Sequence, residues 1–432
     1  MNKIVLFIFS PFASHLTKTT LIAKSYASKG TKVVYCLFRN GSWHQGKTYA
    51  DLIVTDSEPV GFNPVDPSYF SASMSARQRI AKKQLEQRQR ELREIVGRLS
   101  PDVVFFDELC MYDYFLISDL IIDSKKIVLI PTLPNCPGTT IPPLDAQGKP
   151  GIHWIWKWKL IQIEYTIKDY VNRWYNPLKS SSWTISHSIN ADKKYDYSFY
   201  SNHYPVVKGL KRWYESASEF DFYDRKLPKD EKAVGPLIDI DRIEFTHPRV
   251  DFFLKKHQIE VDSKLIYCGF GLAIRTYLKD EVLLAFYRKL NELASRNPQW
   301  NILVSVPPDL MNTILPSGFN IMFVEFVPQI KVLPKSDLFI THGGGSVMEA
   351  IMYGVPMMSL PVFNKLDFNG NTARIEYHGL GLKATFEDTI EGLEVKMKTI
   401  LGDNSYKRNV LQLSSEIDQR YGDSNLQCLD LP

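Results

Sequence analysis

Short, fully apolar segments alternate with longer amphipathic segments along the chain. The first apolar segment is Ile4 to Phe9, and an amphipathic stretch from Leu16 to Ser28 follows it and ends at Gly30. A second apolar segment, Val33 to Cys36, comes next. Because neither apolar segment alternates with polar residues, both are typical of strands in a parallel sheet that helices cover on both faces. The pattern predicts a strand, a loop, a helix and a second strand.

The same alternation continues through the first half of the chain and restarts in the second half. In the first half we predict a helix from about Ala76 to Leu99 and strands at Val103 to Phe106 and Ile127 to Ile130. The run Val234 to Leu237 and the polar stretch up to His247 are interpreted as a linker. The elements predicted beyond the linker are strands Leu265–Cys268, Asn301–Ser305, Ile321–Val324 and Leu338–Thr341, a helix Asp280–Ser295, and a helix that begins near Ser346.

The length of the chain favours two domains. It has 432 residues, and a single hydrophobic core stops growing at roughly 250–300 residues. We therefore predict an α/β fold with two Rossmann-like, doubly wound parallel sheets: a domain over residues 1–240, a domain over 241–415, and a tail, 416–432, that could pack back on the first domain. Ligands of such sheets bind beyond the carboxyl ends of the strands, so two facing sheets create a central cleft.

Charge and cysteine content narrow the class of protein. The formal net charge of +4 is spread along the chain, which argues against a nucleic-acid partner. The densest basic stretch, Arg77 to Arg98, also carries Glu86, Glu91 and Glu94 at helical spacing, so we interpret it as a solvated helix face rather than a phosphate-binding patch. Five scattered cysteines without a CxxC spacing favour a reducing cytoplasm. No obligate protein partner is predicted.

The beginning of the chain is interpreted as a strand. Met1-Asn2-Lys3 followed by Ile4 to Phe9 faintly resembles a signal peptide, but the apolar run is short and no cleavage pattern follows it. No stretch approaches the roughly 20 apolar residues that span a bilayer. A cytoplasmic location is therefore expected.

The segment Thr341-His342-Gly343-Gly344-Gly345-Ser346 leaves a predicted strand through glycines and enters a predicted helix. Glycines let backbone amides approach an anion, and the start of a helix carries partial positive charge. A diphosphate could bind there without a metal ion. A tight turn with a purely structural role is the alternative interpretation.

The residues around this segment point to a known family. Phe326-Val327-Pro328-Gln329 precedes it, and it is followed by Gly354-Val355-Pro356, Pro361, Asp367, Asn371, Ala373 and Arg374. This run resembles the nucleotide-sugar signature of the UDP-glycosyltransferase superfamily. The resemblance is specific from about Val324 to Leu382, weaker over Leu265 to Gly271 and Val234 to Leu237, and loose over the first domain. It implies the GT-B fold, with the acceptor on the first domain and the donor on the second.

The resemblance also implies roles for single residues. Phe326, where the family usually has tryptophan, would stack on the base, and Gln329 would approach the base or ribose. Glu349 would accept hydrogen bonds from the ribose, and Asp367 would contact hydroxyls of the transferred sugar. His342 and Ser346 would hold the diphosphate. The donor site implied in this way consists of Gly271, Phe326, Gln329, His342, Gly343, Gly344, Gly345, Ser346, Glu349, Asp367 and Asn371.

Three departures from the family leave the donor open. The glycine loop is one residue shorter before Ser346, two extra residues separate Pro361 from Asp367, and the glutamine that usually follows the aspartate is Phe368. The identity of the sugar and the choice between UDP and dTDP therefore remain open.

Transfer to an alcohol also needs a general base, because a hydroxyl must lose its proton as it attacks. His15 follows the first predicted strand, where similar enzymes carry a catalytic histidine, and Asp107 follows the strand Val103 to Phe106, where the family has its partner aspartate. The family usually has glycine in place of Ser14 and proline in place of Lys18. A surface or capping role is the alternative for His15. For Asp107 the alternative is a helix-capping role. In that case Glu108 or Asp113 would be the partner of His15.

No cofactor or metal ion is predicted; the donor is a co-substrate. Asp239-Ile240-Asp241 has the spacing of a DxD metal motif, but it lies in the predicted linker, and no other cluster has ligand spacing.

Aromatic residues concentrate between Gly151 and Leu178, interleaved with lysines. They predict an apolar acceptor pocket, a helix core, or a basic amphipathic helix that rests on a membrane surface. The aromatic residues concerned are Trp154, Trp156, Trp158, Tyr165, Tyr170, Trp174 and Tyr175.

The combined prediction is an inverting, metal-independent transfer of a hexose from a UDP- or dTDP-sugar to a hydroxyl of a small lipophilic or aromatic acceptor. A natural product, polyketide, carotenoid or sterol-like compound would fit. The alternatives are a nucleotide-sugar epimerase of the same architecture and a non-catalytic protein that binds a lipophilic ligand.

Overall fold

Two parallel sheets dominate the computed structural model. The residues that it describes are 3–10, 13–38, 49–60, 68–188, 195–198, 205–223, 226–239, 242, 247–259, 262–271, 274, 277–314, 316, 318–362 and 366–422. The strands are β1 (Ile4–Phe9), β2 (Lys32–Leu37), β3 (Asp51–Val54), β4 (Val103–Asp107), β5 (Lys125–Ile130), β6 (Tyr197–Ser198), β7 (Val206–Val207), β8 (Lys211–Tyr214), β9 (Glu231–Ala233), β10 (Lys264–Cys268), β11 (Trp300–Ser305), β12 (Ile321–Val324), β13 (Leu338–Thr341), β14 (Met357–Ser359) and β15 (Gly381–Lys383).

Helices connect the strands on both faces of each sheet. They are α1 (Ala13–Ser28), α2 (Ser68–Ser71), α3 (Met74–Leu99), α4 (Met111–Ile117), α5 (His153–Tyr175), α6 (Ser181–His187), α7 (Pro248–Ile259), α8 (Asp280–Arg296), α9 (Gln329–Val332), α10 (Ser346–Met352), α11 (Phe368–Tyr377), α12 (Ile390–Gly402) and α13 (Asn404–Tyr421). Within the described residues, no helix combines the length and the apolar character that crossing a bilayer requires.

The first sheet has the strand order β3-β2-β1-β4-β5-β8-β9, and all its neighbours run parallel. Its strand order reverses between β1 and β4, where Ile8 lies opposite Phe106. Ligands of doubly wound sheets bind at such a switch point, beyond the carboxyl ends of the strands. The residues that follow β1 and β4 are therefore the ones that the first sheet presents to a ligand.

The second sheet repeats this design. Its order is β12-β11-β10-β13-β14-β15, again with parallel neighbours only. The order reverses between β10 and β13, where Cys268 lies opposite Ile340. The loop after β10 and the glycine turn after β13 consequently lie side by side at this second switch point.

Each sheet is buried on both faces, which explains why its central strands are apolar throughout. Five of the six residues of β1 are buried, and all four residues of β13 are buried. Side chains of the first sheet contribute to two hydrophobic clusters, one on each face, and the second sheet is enclosed in the same way. One cluster of the second sheet also includes Leu133, Leu144 and Phe220 from the first half of the chain. The core is therefore continuous between the two halves.

Polar contacts also join the two halves. Arg374 Nη2 on α11 donates to Asp221 Oδ1 at 2.7 Å, with both side chains almost completely buried. The backbone amide of Gly370 donates to the Leu144 carbonyl at 3.0 Å. At the end of α13, the Tyr421 hydroxyl lies 2.7 Å from Ser218 Oγ. Residues 423–432 of the predicted tail lie outside the described part, and the predicted domain bounds stay predictions.

The structure corrects three details of the sequence analysis. Helix α1 begins at Ala13 rather than Leu16, so His15 belongs to its first turn. Asp107 is the last residue of β4 and does not follow it. The basic stretch on α3 is not wholly solvated, because Arg88 is fully buried and its Nη2 donates to Asp113 Oδ2 at 2.7 Å. Burying an arginine without such a partner would be costly.

Candidate active site

The carboxyl ends of β1 and β4 bring His15 and Asp107 together. His15 Nδ1 lies 2.9 Å from Asp107 Oδ1, and the His15 side chain is 17% exposed whereas that of Asp107 is fully buried. A carboxylate can only accept a hydrogen bond, so Nδ1 carries the hydrogen and Nε2 is the basic nitrogen. This is the arrangement of a histidine that is held in one tautomer by an acid.

Asp107 is fixed on all sides. Ser10 donates through both its hydroxyl and its backbone amide to Oδ2, the amide at 3.1 Å, and the Leu109 amide donates to Oδ1 at 3.1 Å. Burial opposes ionisation, but the positive charge and hydrogen bond of His15, together with the hydrogen bonds from Ser10 and Leu109, outweigh it and lower the pKa of Asp107 below its ordinary value. Asp107 therefore stays ionised, contacts His15 and also caps the short turn after β4.

The carboxylate has the reciprocal effect on the imidazole. Burial alone would lower the pKa of His15, but Asp107 outweighs burial and raises it above its ordinary value. The alternative partner Asp113 is engaged elsewhere, because its carboxylate accepts hydrogen bonds from the buried Arg88 guanidinium. Between Asp107 and Asp113, Asp107 is the acid whose carboxylate contacts the His15 imidazole in the structure.

A second acid at this place was missed by the sequence analysis. Glu215 follows β8 directly, is 2% exposed, and its Oε1 has no hydrogen-bond partner within the described residues. Burial raises the pKa of Glu215 to about 7, while the charges of Lys18 and His15 act in the opposite direction. The signal that could have found Glu215 is a carboxylate at the carboxyl end of a strand, but β8 itself was not predicted.

The glycine turn after β13 is shaped by its own packing. Gly343 has φ +84°, which favours glycine, and a side chain there would meet the Phe368 carbonyl oxygen at 2.9 Å. A side chain on Gly344 would collide with the imidazole of His342. These two glycines are thus required by the turn itself. Gly345 is exposed, and the atoms nearest to a side chain built on it belong to Lys18.

His342 lies within this turn as a neutral imidazole. Burial lowers its pKa to about 4, and its Nδ1 has no hydrogen-bond partner within the described residues. The ring packs edge-on against Phe368, with centroids 4.7 Å apart. Gly271, in the loop after β10, has φ +71°, and a side chain there would lie 3.7 Å from the His342 ring. The structure therefore brings Gly271, His342 and the glycines together, and their role as donor residues stays a prediction.

Asp367 and Asn371 are attached to the same turn. Asn371 Nδ2 lies 2.8 Å from both the Gly343 carbonyl oxygen and Asp367 Oδ2. Burial raises the pKa of Asp367, and the charges of Lys18 and His15 act against this rise. An acid of the second half is thus close enough to respond to charges of the first half. Residues 363–365, which include part of the predicted insertion after Pro361, lie outside the described part of the chain.

The residues predicted for the ribose and base are also neighbours. Gln329 Nε2 donates to Glu349 Oε2, and Gln329 Oε1 accepts from the Tyr267 hydroxyl at 3.2 Å. Glu349 Oε1 accepts from Arg242 Nη1 at 2.5 Å. No pattern in the sequence predicts Arg242 here. A ribose that binds Glu349 would have to share the carboxylate with it. Phe326 is 39% exposed, as a ring that stacks on a base requires.

Two further predictions concern Ser346 and the DxD segment. Ser346 begins α10, and its Oγ lies 3.3 Å from Thr341 Oγ1. Asp239 is 4% exposed and pairs with Lys24, whose Nζ lies 2.8 Å from Asp239 Oδ2. Asp241 lies outside the described residues.

The aromatic segment forms α5 and is divided between core and solvent. Trp154 and Trp158 are buried, and the Trp158 indole donates to the Ile141 carbonyl at 2.8 Å. Trp156 and Tyr170 are 67% and 66% exposed. The helix-core interpretation therefore holds for one face only, and the membrane interpretation of the other face stays a prediction.

Known proteins resemble this chain in sequence and in fold. The family model described as UDP-glucoronosyl and UDP-glucosyl transferase matches residues 305–431. The chain is 32% identical over 160 residues to UDP-glucuronosyltransferase 3A1 of Homo sapiens. The aligned region covers 35% of this chain and 29% of that protein. It is 27% identical over 242 residues to NDP-glycosyltransferase YjiC of Bacillus subtilis (strain 168). This aligned region covers 49% of this chain and 59% of that protein. The matches thus span less than two thirds of either relative.

The fold match extends over the whole chain. The solved structure of the glycotransferase of kitacinnamycin superposes with a TM-score of 0.69 over 100% of this chain and 98% of that chain, at 16% sequence identity. The shared architecture is the GT-B fold, which confirms the predicted fold class.

Proposed function

Because this chain belongs to the UDP-glycosyltransferase superfamily, we propose that it is an inverting hexosyltransferase. The donor is a UDP- or dTDP-sugar, and the acceptor is a hydroxyl of a small lipophilic or aromatic molecule, such as a natural product. The first half of the chain binds the acceptor and the second half binds the donor.

One observation carries this proposal: a histidine–aspartate pair at the switch point of one sheet faces the glycine turn at the switch point of the other. His15 Nδ1 and Asp107 Oδ1 are 2.9 Å apart. Burial raises the pKa of Asp367 and the charge of His15 acts against this rise, and Asp367 is tied to the turn through Asn371. A base and an anion-binding turn on opposite sides of one gap are what a displacement at an anomeric carbon needs.

On the acceptor side, His15 removes the proton of the attacking hydroxyl. Its Nε2 takes the proton as the oxygen bonds to the anomeric carbon, and the ionised Asp107 stabilises the imidazolium that results. A pKa above its ordinary value makes His15 a stronger base than a free histidine. The hydroxyl attacks from the side opposite the nucleotide, so the configuration at the anomeric carbon inverts.

On the donor side, the bond from the anomeric carbon to the diphosphate oxygen breaks, and its electron pair stays on that oxygen. The amides of the glycine turn and a donated N–H of His342 meet the negative charge that develops. A pKa of about 4 keeps His342 neutral at physiological pH, with one ring N–H to donate. Asp367 is placed to hold sugar hydroxyls, and Gln329 and Glu349 to hold the ribose and base. Protein groups, rather than a metal ion, carry these roles in the proposal.

A donor screen followed by a transfer assay tests this function. Nucleotide sugars are first compared for thermal stabilisation of the protein in chelator-treated buffer, since a ligand that binds the folded state raises the unfolding temperature. The best donor is then incubated with aromatic and isoprenoid alcohols, and products are analysed by mass spectrometry and by NMR of the anomeric proton.

We expect stabilisation by a UDP- or dTDP-hexose and an acceptor product heavier by one hexose, with inverted configuration. A change in the sugar of the donor without an acceptor product would identify an epimerase. Stabilisation by lipophilic compounds alone, without turnover, would identify a binding protein. Either result would refute the proposal.

A further inference from the structure

Lys18 lies on the same face of α1 as His15, one helical turn further along the chain. Its Nζ donates to the Pro131 carbonyl oxygen at 2.8 Å, and Pro131 directly follows β5. The side chain therefore points along the carboxyl edge of the first sheet, the edge that also holds Asp107 and Glu215. The resemblance to the family gives no reason to expect this, because the family usually has proline at this position.

The ammonium group of Lys18 reaches the glycine turn of the second sheet. A Cβ atom built on Gly345 would lie 3.5 Å from Lys18 Nζ and 3.6 Å from its Cε, which are the nearest atoms beyond Gly345 and its chain neighbours. Gly345 is the exposed glycine of the turn, and its conformation does not require glycine in the way that φ +84° does at Gly343. The ammonium group of Lys18, from the first half, thus lies next to the exposed part of the glycine turn, where a ligand could bind.

The surroundings of this cation are acidic on both sides of the gap. Glu215 belongs to the first half and Asp367 to the second; burial raises the pKa of each carboxyl, and the charge of Lys18 acts against that rise. Neither acid lies within ion-pair distance of it. The hydrogen-bond acceptor of Lys18 within the described residues is the Pro131 carbonyl, so two of its three N–H donors have no protein acceptor there.

A partly buried ammonium with unused donors, close to an anion-binding turn, favours a multiply charged ligand between the two. We propose that Lys18 binds the diphosphate of the nucleotide-sugar donor from the side opposite the glycine turn, so that both halves of the chain hold the leaving group. This inference rests on the proposed function. As the bond between the anomeric carbon and the diphosphate oxygen breaks, the ammonium stabilises the charge left on that oxygen without giving up a proton.

The position of Lys18 also explains how the two substrates are brought into register. His15 and Lys18 are separated by one turn of a single helix, so the base that activates the acceptor and the cation that holds the leaving group are fixed relative to each other. Donor binding would draw the glycine turn against α1 and thereby place the anomeric carbon before His15.

Binding of nucleotides with and without phosphate tests the inference. Isothermal titration compares UDP, dTDP and uridine on the wild type, on Lys18→Met, on Lys18→Arg and on the matched control Lys29→Met, which removes an exposed lysine just beyond α1. We expect Lys18→Met to weaken UDP or dTDP binding on the order of ten- to a hundredfold, as loss of a hydrogen bond to a charged group does. Uridine affinity should be unchanged in all variants, and Lys18→Arg should retain most of the diphosphate affinity.

Kinetics separate this role from a structural one. In the transfer reaction Lys18→Met should raise the KM of the donor and lower kcat, because the leaving group is most negative in the transition state, while the KM of the acceptor stays unchanged. Wild-type diphosphate affinity in Lys18→Met, or an equal loss for uridine and UDP, would overturn the inference and leave the proposed function intact. Failure of the wild type to bind either diphosphate would instead refute the proposed function, and this inference with it.

Discussion

Glu215 shows how the candidate site tunes a single residue. Its carboxyl is withdrawn from water at the end of β8, beside two cations and the ionised Asp107. Burial disfavours the charged form more than Lys18 and His15 favour it, which is why its pKa rises to about 7. Asp107, two strands away along the same edge, stays ionised because the charge of His15 and several hydrogen bonds favour its carboxylate. Two acids at one edge therefore differ in charge near neutral pH.

The raised pKa of Glu215 predicts that the free energy of unfolding of the protein depends on pH. In the folded protein Glu215 holds its proton up to about pH 7, whereas its ordinary pKa is 4.5. Because the folded value is the higher one, the stability that the bound proton contributes is complete below pH 4.5 and is lost as the pH rises through about 7. Between about pH 5 and pH 8, we expect the free energy of unfolding of the wild type to fall relative to that of Glu215→Gln by roughly 1–3 kcal/mol.

Urea unfolding of both proteins across this pH range measures the difference. Ser28→Ala, a change at the exposed end of α1, serves as a control whose profile should follow the wild type. Profiles of Glu215→Gln and wild type that run parallel throughout would contradict the burial of this carboxyl.

At the residue scale, the candidate site residues that could be identified from the sequence are those that directly follow long apolar segments. His15 and the glycine turn were located in this way, because β1 is apolar from end to end and β13 is apolar up to Thr341. Glu215 was missed because β8 begins with Lys211 and Arg212 and gives no apolar run. The pairing of Arg242 with Glu349 could not be predicted, since 107 positions separate them and only the folded chain brings them together.

At the scale of elements, buried strands were predicted closely and half-exposed strands were not. The predicted bounds of β1, β12 and β13 coincide with the observed ones. Strands such as β3, β9 and β15 are three or four residues long and partly exposed, so their sequences are too short to show a long apolar run or a clear alternation. These strands form because a neighbouring strand supplies their hydrogen bonds, which a local pattern cannot reveal.

Within the described part of the chain, helix α5 has one apolar face that no other element covers. The exposed residues of this face recur every three or four positions, and the exposed basic residues Lys157, Lys159, Lys168 and Arg173 lie beside them, against one exposed acid, Glu164. Aromatic side chains bordered by lysines are typical of helices that lie in the plane of a membrane surface. The residues of the apolar face are Trp156, Leu160, Ile163, Ile167, Tyr170 and Trp174.

This face predicts binding to an anionic bilayer. We expect the wild type to co-sediment with phosphatidylcholine vesicles that contain phosphatidylglycerol and to bind vesicles of phosphatidylcholine alone more weakly. The double variant Leu160→Glu/Ile167→Glu should lose this binding. Val395→Glu, which places the same charge at a 64% exposed position of α12, should retain it.

Absence of binding by the wild type would exclude the membrane interpretation of α5. Sedimentation velocity provides the alternative outcome: if the wild type dimerises and the double variant does not, the face is covered by a second copy of the chain rather than by lipid.

At the scale of the whole molecule, buried contacts join the halves on which the two sets of site residues lie. The pair of Arg374 and Asp221 crosses between them with 1% and 2% of the side chains exposed. The sequence placed Arg374 in the donor signature but could not identify its partner 153 positions away. Loss of one member would leave a buried charge without its partner, which is strongly destabilising in proteins. The relative position of the two switch points is thus set by contacts between the two halves, and it could not be predicted from the sequence pattern of either half.

Transfer in the proposed reaction depends on His15 acting as the base across the gap from the donor. The most direct measurement compares transfer rate and donor affinity in the wild type, in His15→Ala and in His153→Ala, which removes an exposed histidine at the start of α5. We predict that His15→Ala lowers kcat on the order of 10²–10⁴-fold, while the Kd of the donor nucleotide stays within about twofold because the imidazole contacts the acceptor and not the nucleotide. His153→Ala should match the wild type. Unchanged turnover in His15→Ala, or a loss of donor affinity as large as the loss of rate, would contradict the account.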